Sequence, residues 1–239
     1  MAGLGTIINC LAIVAGGLCG MLFGKFVNPR LQDGLTKTCG VSVLFIGIAG
    51  AMEKMLNVQG TTLTGSGTML VVGCLALGTL IGELVNIEAG FERFGVWLKQ
   101  KTGNAKDGGF VDAFVSASFT VCIGAMAIVG AIQDGISGDW SILGAKAVLD
   151  LIIIMIMTCA MGKGCIFSAI PVAILQGSVT LLARLLQPLM TAAALENLSM
   201  IGSVLIFCVG VNLVWGKKLR VANMLPAVLL AIAAAFLPK

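Results

Sequence analysis

The chain has 239 residues, of which 58% are hydrophobic and 11% charged, and its formal net charge is +4. Its mean hydropathy is +1.05. A soluble domain has roughly a quarter of its residues charged, so this composition excludes a soluble globular fold and makes lipid the solvent for most of the surface. No basic cluster with interleaved aromatic residues occurs, and we do not expect a nucleic-acid partner.

Eight apolar stretches follow one another along the chain, each close to the roughly 20 residues that a helix needs to cross the hydrocarbon. Backbone polar groups in lipid must bond within their own segment, which favours helices. The predicted fold class is therefore an all-α polytopic transmembrane helix bundle, a single integral membrane domain over residues 1–239 with about eight spans. The predicted spans are 4–23, 38–55, 67–88, 110–132, 142–161, 164–185, 198–215 and 222–237.

Residues 90–101, between the third and fourth spans, place apolar and charged side chains on opposite sides of a helix. Phe91 and Phe94 lie on one side, whereas Arg93 and Lys101 lie on the other. This pattern predicts a short helix on the cytoplasmic membrane surface. The amino terminus lacks the basic stretch of a signal peptide, so the first apolar stretch is interpreted as a retained span.

Lys and Arg are distributed unequally between the two sides that the spans define. The loops that join span 1 to 2, 3 to 4, 5 to 6 and 7 to 8 lie on one side and contain eleven of the fifteen basic residues. The other side, which includes both tails, contains four. Because basic loops face the cytoplasm, we expect both termini to lie outside. The eleven are Lys25, Arg30, Lys37, Arg93, Lys99, Lys101, Lys106, Lys163, Lys217, Lys218 and Arg220, and the four are Lys54, Lys146, Arg184 and Lys239.

The apolar stretches also resemble one another. Glycine and leucine positions of the first span recur 62 positions later in the third, as Gly5 and Gly67 illustrate. A weaker match at an offset of 161 aligns spans one and two with six and seven, which predicts an inverted repeat of the kind found in transporters. Convergence of small apolar residues in lipid is the alternative. Spaced glycines such as Gly16 and Gly20 favour close helix packing, within one subunit or at a homodimer seam.

Polar residues at membrane depth are costly and mark functional sites by default. Asp150 lies about nine residues into the fifth span, roughly 13 Å deep. Lys146 lies one turn earlier on the same helix face, at a spacing that allows an ion pair. Two interpretations stay open. Asp150 binds a cation or carries a proton while Lys146 tunes it, or the two residues form a structural ion pair.

The sixth span contains a second candidate, Gln176, five residues after Pro171. Proline removes one intrahelical hydrogen bond, and a break beside a buried amide is typical of the discontinuous helices that bind ions in transporters. A simple proline kink is the alternative. Asn9, Asn212 and Ser116 are further candidates for a polar lining, or form ordinary interhelical hydrogen bonds.

Residues 133–139 join the fourth and fifth spans on the outer side. In this glycine-rich turn, Gln133, Asp134 and Asp139 would attract cations at an entrance, or cap the adjoining helix ends. Neither a metal site nor a cofactor is expected, because the eight cysteines form no CxxC pair and the chain has no histidine.

Several strings along the chain match a known family pattern. They are Gly-Thr-Ile-Ile-Asn at 5–9, Val-Leu-Phe-Ile-Gly-Ile at 43–48, residues 130–139, Lys146 with Asp150, Phe-Ser-Ala-Ile-Pro-Val at 167–172, Gln-Gly at 176–177, and residues 220–227. On these strings, which extend over essentially the whole chain, the sequence resembles the YqgA/YdfK-like bacterial membrane proteins, a family with a domain of unknown function (DUF554). The resemblance implies a bacterial cytoplasmic-membrane protein, and it transfers no catalytic residue.

The predicted function is a transporter or channel for an ion or small solute, coupled to a cation through the midplane polar site. A regulatory or assembly membrane protein without transport is the first alternative. An intramembrane enzyme is the second and is not expected, since Asp139 and Asp150 lie eleven residues apart, roughly 16 Å along one helix. The expected partners are the lipid bilayer, a small solute or ion, and a second copy in a homodimer.

Overall fold

The computed structural model describes residues 3–24, 26, 28–59, 62–104, 107–122 and 125–236, most of them helical. Within this part of the chain lie two 3₁₀ helices, Lys163–Ser168 and Gln187–Leu189, and an antiparallel hairpin of β1 (Leu56–Gln59) and β2 (Thr62–Gly65). The α-helices are α1 (Leu4–Gly24), α2 (Pro29–Met55), α3 (Thr68–Val85), α4 (Ile87–Lys101), α5 (Phe110–Cys122), α6 (Ala125–Ser137), α7 (Ser141–Met161), α8 (Ala169–Leu181), α9 (Ala183–Leu186), α10 (Ala192–Trp215), α11 (Val221–Met224) and α12 (Pro226–Ala234).

The predicted all-α polytopic bundle is confirmed. Among the described residues, six helical segments are long and apolar enough to cross a membrane, and α5 with α6 makes a seventh if the two are one span bent by 61°. The eighth predicted span corresponds to the apolar segment Val221–Ala234. At 1.5 Å per residue this segment reaches about 21 Å, less than the roughly 30 Å of hydrocarbon. The count of eight therefore stays a prediction.

Some sequence predictions fall outside the described residues. These are the last residue of the predicted eighth span, Leu237, two residues of the fourth, 123–124, and three of the counted basic residues, Lys25, Lys106 and Lys239.

Several predicted boundaries move for local reasons. Asn28 caps α2 by accepting a hydrogen bond from the Leu31 N–H at 2.9 Å, and Pro29 begins the helix, nine residues before the predicted span. The third span ends at Val85 because Asn86 adopts a left-handed conformation, with φ of 55°. Asn86 also caps α4, so the predicted surface helix starts at Ile87.

Two further differences concern the connections between spans. The structure contains a short β-hairpin after α2, which the sequence analysis did not predict. The predicted turn at 133–139 is mostly helical, since α6 continues to Ser137 and residues 138–140 make the connection to α7. Asp134 therefore lies on a helix and not in a loop.

Glycine determines how closely the first helix packs in the bundle. A Cβ at Gly16 would overlap the backbone carbonyl of Leu151, and one at Gly20 would overlap that of Met155, so α1 lies directly on α7. Residue numbers rise together along this contact, which means that the two helices run parallel. No side chain larger than hydrogen fits between these backbones.

Three other pairs of helices run antiparallel. Gly47 of α2 packs on Phe207 of α10, and Gly82 of α3 packs on Asn223 of α11. On α1, Asn9 faces Gln176 of α8. These directions define two ends of the bundle. The hairpin end contains the start of α1, the β-hairpin and the α6–α7 connection, and the α4 end contains α4, the 3₁₀ helix before α8, and residues 216–220.

Gly82→Ala is expected to lower the melting temperature of the purified protein in detergent, because the new methyl group would overlap the carbonyl of Asn223. Overpacking of this kind costs about 1–3 kcal/mol. Gly73→Ala on the same helix is the matched control, since a Cβ there meets nothing within 4 Å. Equal melting temperatures for the two variants would contradict the packing of α3 on α11.

Candidate functional site

Most of the buried polar side chains among the described residues lie where α1, α7 and α8 meet, and this region is called the seam. Each helix turns one stripe of buried residues toward the other two. On α8 and the preceding 3₁₀ helix the stripe repeats every four residues, which keeps it on one face of the helix. It consists of Ser168, Val172, Gln176 and Thr180.

Lys146 and Asp150 form an ion pair near the middle of the 21-residue α7. The Lys146 Nζ donates to both carboxylate oxygens, Oδ1 at 2.8 Å and Oδ2 at 2.6 Å. The exposed fractions of the two side chains are 9% and 5%. Taking both charges out of water offsets most of their attraction, so a buried pair adds little net stability, whereas losing one partner leaves an uncompensated charge. The predicted ion pair is therefore present and buried.

Two amides lie beside this pair. The Asn9 Nδ2 donates to the Gln176 Oε1 at 3.3 Å, and the Asn9 side chain also lies near the Asp150 carboxylate. Within the described residues, the Asn9 Oδ1 and the Gln176 Nε2 have no hydrogen-bond partner, although both are buried. Exchanging the O and N positions of both amides would still leave one oxygen and one nitrogen free. Asn9, Lys146, Asp150 and Gln176 are called the polar cluster.

The polar stripe continues from the cluster toward the hairpin end. The Thr6 and Thr180 hydroxyl oxygens are 3.5 Å apart, and both residues are buried. Beside Thr6, at the start of α1, the fully buried Asp134 accepts a hydrogen bond from the Gly5 N–H at 3.0 Å. A carboxylate there compensates the free N–H groups and the positive dipole end of α1. Asp134 therefore caps α1, and not one of the two adjoining helices that the sequence analysis considered.

The other two entrance candidates also form a cap. Gln133 Nε2 donates to Asp139 Oδ2 at 2.7 Å, and Asp139 Oδ1 accepts from the Ser141 N–H at 3.0 Å, at the start of α7. The pKa of Asp139 is lowered, first by this backbone hydrogen bond and further by the side chains of Ser141 and Gln133. Gln133 also lines an open pocket of about 270 Å³ at the hairpin end.

Asn212 and Ser116 do not join the polar cluster. The Asn212 Nδ2 donates to the Leu219 carbonyl at 2.7 Å, while its Oδ1 accepts from the N–H groups of Lys218 and Leu219, both at 2.9 Å. The amide therefore holds the loop after α10 at the α4 end. Ser116 and Asn212 both line a pocket of about 260 Å³ there, together with Thr36, Glu88, Asp112 and Lys217.

Ion pairs hold α3 and α4 to the same loop. The Lys217 ammonium lies 3.0 Å from Glu88 Oε1 and contacts Glu92, and Arg220 lies 2.8 Å from Glu83 Oε2. Burial lowers the pKa of Lys217, but its hydrogen bonds with Glu92 and Glu88 raise it above the ordinary value.

Pro171 lies in the first turn of α8, directly after the 3₁₀ helix. A proline there costs no intrahelical hydrogen bond, because the first N–H groups of a helix have no partner within it. The break predicted in the sixth span is therefore the junction between the 3₁₀ and α-helix, and not a kink inside a continuous α-helix.

Sequence reasoning missed the buried hydroxyl groups of Thr6, Thr158, Ser168 and Thr180. The signal was available for two of them. Ser168 lies four residues before Val172 and Thr180 lies four residues after Gln176, so the spacing puts them on the same helix face as Val172 and Gln176. A search of the sixth span for a four-residue polar period would have found that stripe.

Asp150→Asn is expected to lower the stability of the purified protein by about 3–5 kcal/mol, because it leaves the Lys146 charge buried without its partner. The double variant Lys146→Met/Asp150→Leu is expected to be close to the wild type, since it removes both charges and keeps similar volumes. Melting temperatures in one detergent test this. A single variant as stable as the double variant would contradict the buried ion pair.

Comparison with known proteins identifies the family. A family model described as "Protein of unknown function (DUF554)" matches residues 4–236. The uncharacterised protein YqgA of Escherichia coli K12 is 30% identical over 233 residues, covering 96% of this chain and 94% of that protein. The uncharacterised membrane protein YdfK of Bacillus subtilis 168 is 25% identical over 226 residues, covering 95% and 93%. No solved structure matches significantly. The chain therefore belongs to the DUF554 family.

Proposed function

We propose that this multi-pass membrane protein is a transporter for a small solute or ion, and that the polar cluster lies on the transport path. The observation that carries the proposal is the pair of free amide atoms, Asn9 Oδ1 and Gln176 Nε2, buried beside a buried ion pair. An unsatisfied buried polar atom costs about 1–3 kcal/mol. Groups kept at this cost in the membrane interior mark substrate and ion pathways.

The chemistry of the cluster suits a polar solute. Lys146 and Asp150 neutralise each other, so the cluster offers no net charge, and the amides contribute one free acceptor and one free donor. A small molecule with both a hydrogen-bond donor and an acceptor satisfies these two groups together.

The ion pair favours a proton as the coupling cation. Lys146 occupies both oxygens of Asp150, so a metal ion would have to displace an ammonium group of like charge. A proton moving from Lys146 to Asp150 instead leaves two neutral groups, which a low-dielectric interior tolerates. Among the described residues, the thiols of Cys10 on α1 and Cys122 on α5 also lie within electrostatic range of Asp150.

The directions of the helices support alternating access. An inverted repeat would make α1 the counterpart of α8, α2 of α10, and α3 of α11–α12. The two members of each pair run antiparallel. Transporters with such repeats bind substrate at the repeat interface near the bilayer midplane, and the Asn9–Gln176 contact joins α1 to its proposed counterpart.

Neither alternative has comparable support. The two carboxylates of an aspartyl enzyme must lie together, whereas Asp139 caps the start of α7 and Asp150 pairs with Lys146 inside the helix. A regulatory or assembly role does not account for the free polar atoms in the seam.

We also propose the bacterial cytoplasmic membrane as the location, with the α4 end in the cytoplasm. Alkaline phosphatase fused after Lys239 is expected to be active, because it would lie outside, while a fusion after Thr102, at the end of α4, is expected to be inactive. Green fluorescent protein at the same two positions is the reciprocal control. Phosphatase activity only in the fusion after Thr102 would show that the orientation is the reverse of the one proposed.

The transport proposal is tested with purified protein in liposomes that contain a trapped pH-sensitive dye. Amino acids, sugars, small carboxylates and amines are added singly under an imposed pH gradient. At least one is expected to accelerate proton movement in the wild type. The Lys146→Met/Asp150→Leu variant, which removes the proton site and keeps the fold, is expected to lose this response.

Folded wild-type protein that moves none of these solutes, and no Na⁺ or K⁺, would contradict transport. A response that depends on Na⁺ and not on the pH gradient would retain transport and reject the proton as the coupling ion.

A further inference from the structure

One turn from the polar cluster toward the α4 end, the three seam helices each carry an aliphatic residue. Ile13 follows Asn9 by four residues on α1, and Ile154 follows Asp150 by four on α7. Because α8 runs in the opposite direction, Val172, four residues before Gln176, lies on the same side of the cluster.

These three aliphatic residues, called the apolar layer, are fully buried. Each has an exposed fraction of 0%, and all three belong to one hydrophobic cluster. The layer offers a polar solute or a proton no hydrogen bond, and apolar constrictions close membrane pores by excluding water.

Polar groups return one turn beyond the layer. Thr158 follows Ile154 by four residues, Ser168 precedes Val172 by four, and their exposed fractions are 2% and 0%. Within the described residues neither hydroxyl oxygen has a hydrogen-bond partner, although Thr158 lies beside the Cys165 thiol, a weak donor. Valine and alanine would fill the same space without this cost, so the two hydroxyl groups indicate a ligand.

We propose that the apolar layer of Ile13, Ile154 and Val172 is the barrier of the transport path, and that Thr158 and Ser168 form a second binding station behind it. This inference rests on the proposed function. The station takes the same class of ligand as the cluster, a small polar solute, because two hydroxyl groups offer donors and acceptors without charge. The solute passes from one station to the other when the layer separates.

Making the layer polar tests the barrier without knowledge of the solute. Ile154→Ser would add a hydroxyl group between Asp150 and Thr158, so that water can enter the layer. In liposomes with the trapped dye, a pH gradient, and K⁺ with valinomycin to remove the membrane potential, this variant is expected to leak protons several-fold faster than the wild type, with no solute added.

Ile152→Ser is the matched control, since Ile152 lies on the same helix with 44% of its surface exposed. It is expected to leak no faster than the wild type, as is Ile154→Val, which keeps the layer apolar. Adding Thr158→Val to Ile154→Ser is expected to reduce the leak, because it removes a hydroxyl group of the second station.

Val172→Thr, which hardly changes the volume, provides the same test should Ile154→Ser fail to fold. A leak in either variant of the layer, and not in Ile152→Ser, supports the barrier even if the wild type moves no tested solute. Folded layer variants as tight as Ile152→Ser would overturn it, and solute flux in the wild type would then leave the transporter proposal standing. A leak that Thr158→Val leaves unchanged would overturn the second station.

Discussion

The close contact between α1 and α7 determines the geometry of the seam. Gly16 and Gly20 present only hydrogen to the carbonyl groups of Leu151 and Met155, so the two backbones touch along the half of the contact nearer the α4 end. Hydrophobic association contributes little between helices in lipid, where packing and interhelical hydrogen bonds dominate. This approach places Asn9 near Asp150, and α8 completes the enclosure through Gln176.

The ion pairs at the α4 end and the ion pair in the seam differ in how much free energy their separation costs. At the α4 end, the ion pair of Arg220 with Glu83 is largely exposed, and exposed pairs contribute about 0–1 kcal/mol, whereas Lys217 also pairs with the buried Glu88. In the seam, Lys146 and Asp150 are almost fully desolvated, so their separation costs several kcal/mol. Releasing Arg220 from Glu83 is therefore far less costly than separating Lys146 from Asp150.

Polar and apolar layers alternate along the seam, and this alternation serves both the packing of the helices and the proposed binding of a solute. Four groups of residues follow one another at intervals of about one helical turn. They are Thr6 with Thr180, the polar cluster, the apolar layer, and Thr158 with Ser168. The same stripe therefore packs the three helices and supplies binding groups. Packing requires that the stripe be buried, and binding requires that part of it lack internal hydrogen bonds, as Asn9 and Gln176 do.

Sequence alone determined the features that depend on neighbouring residues and on the solvent. Apolar length predicts helices because lipid offers backbone groups no other partner, and the spacing of Lys146 and Asp150 predicts their pair because side chains four apart share a helix face. Tertiary structure decided the rest. Asn9 meets Gln176 across 167 positions, Asn212 bonds to its own loop and not to the cluster, and Pro171 lies in the first turn of α8, where the sequence left a helix break and a simple kink open. The contact of Asn9 with Gln176 depends on which faces of distant helices meet, and in lipid that is decided by the shape of the whole bundle and not by the polarity of any one segment.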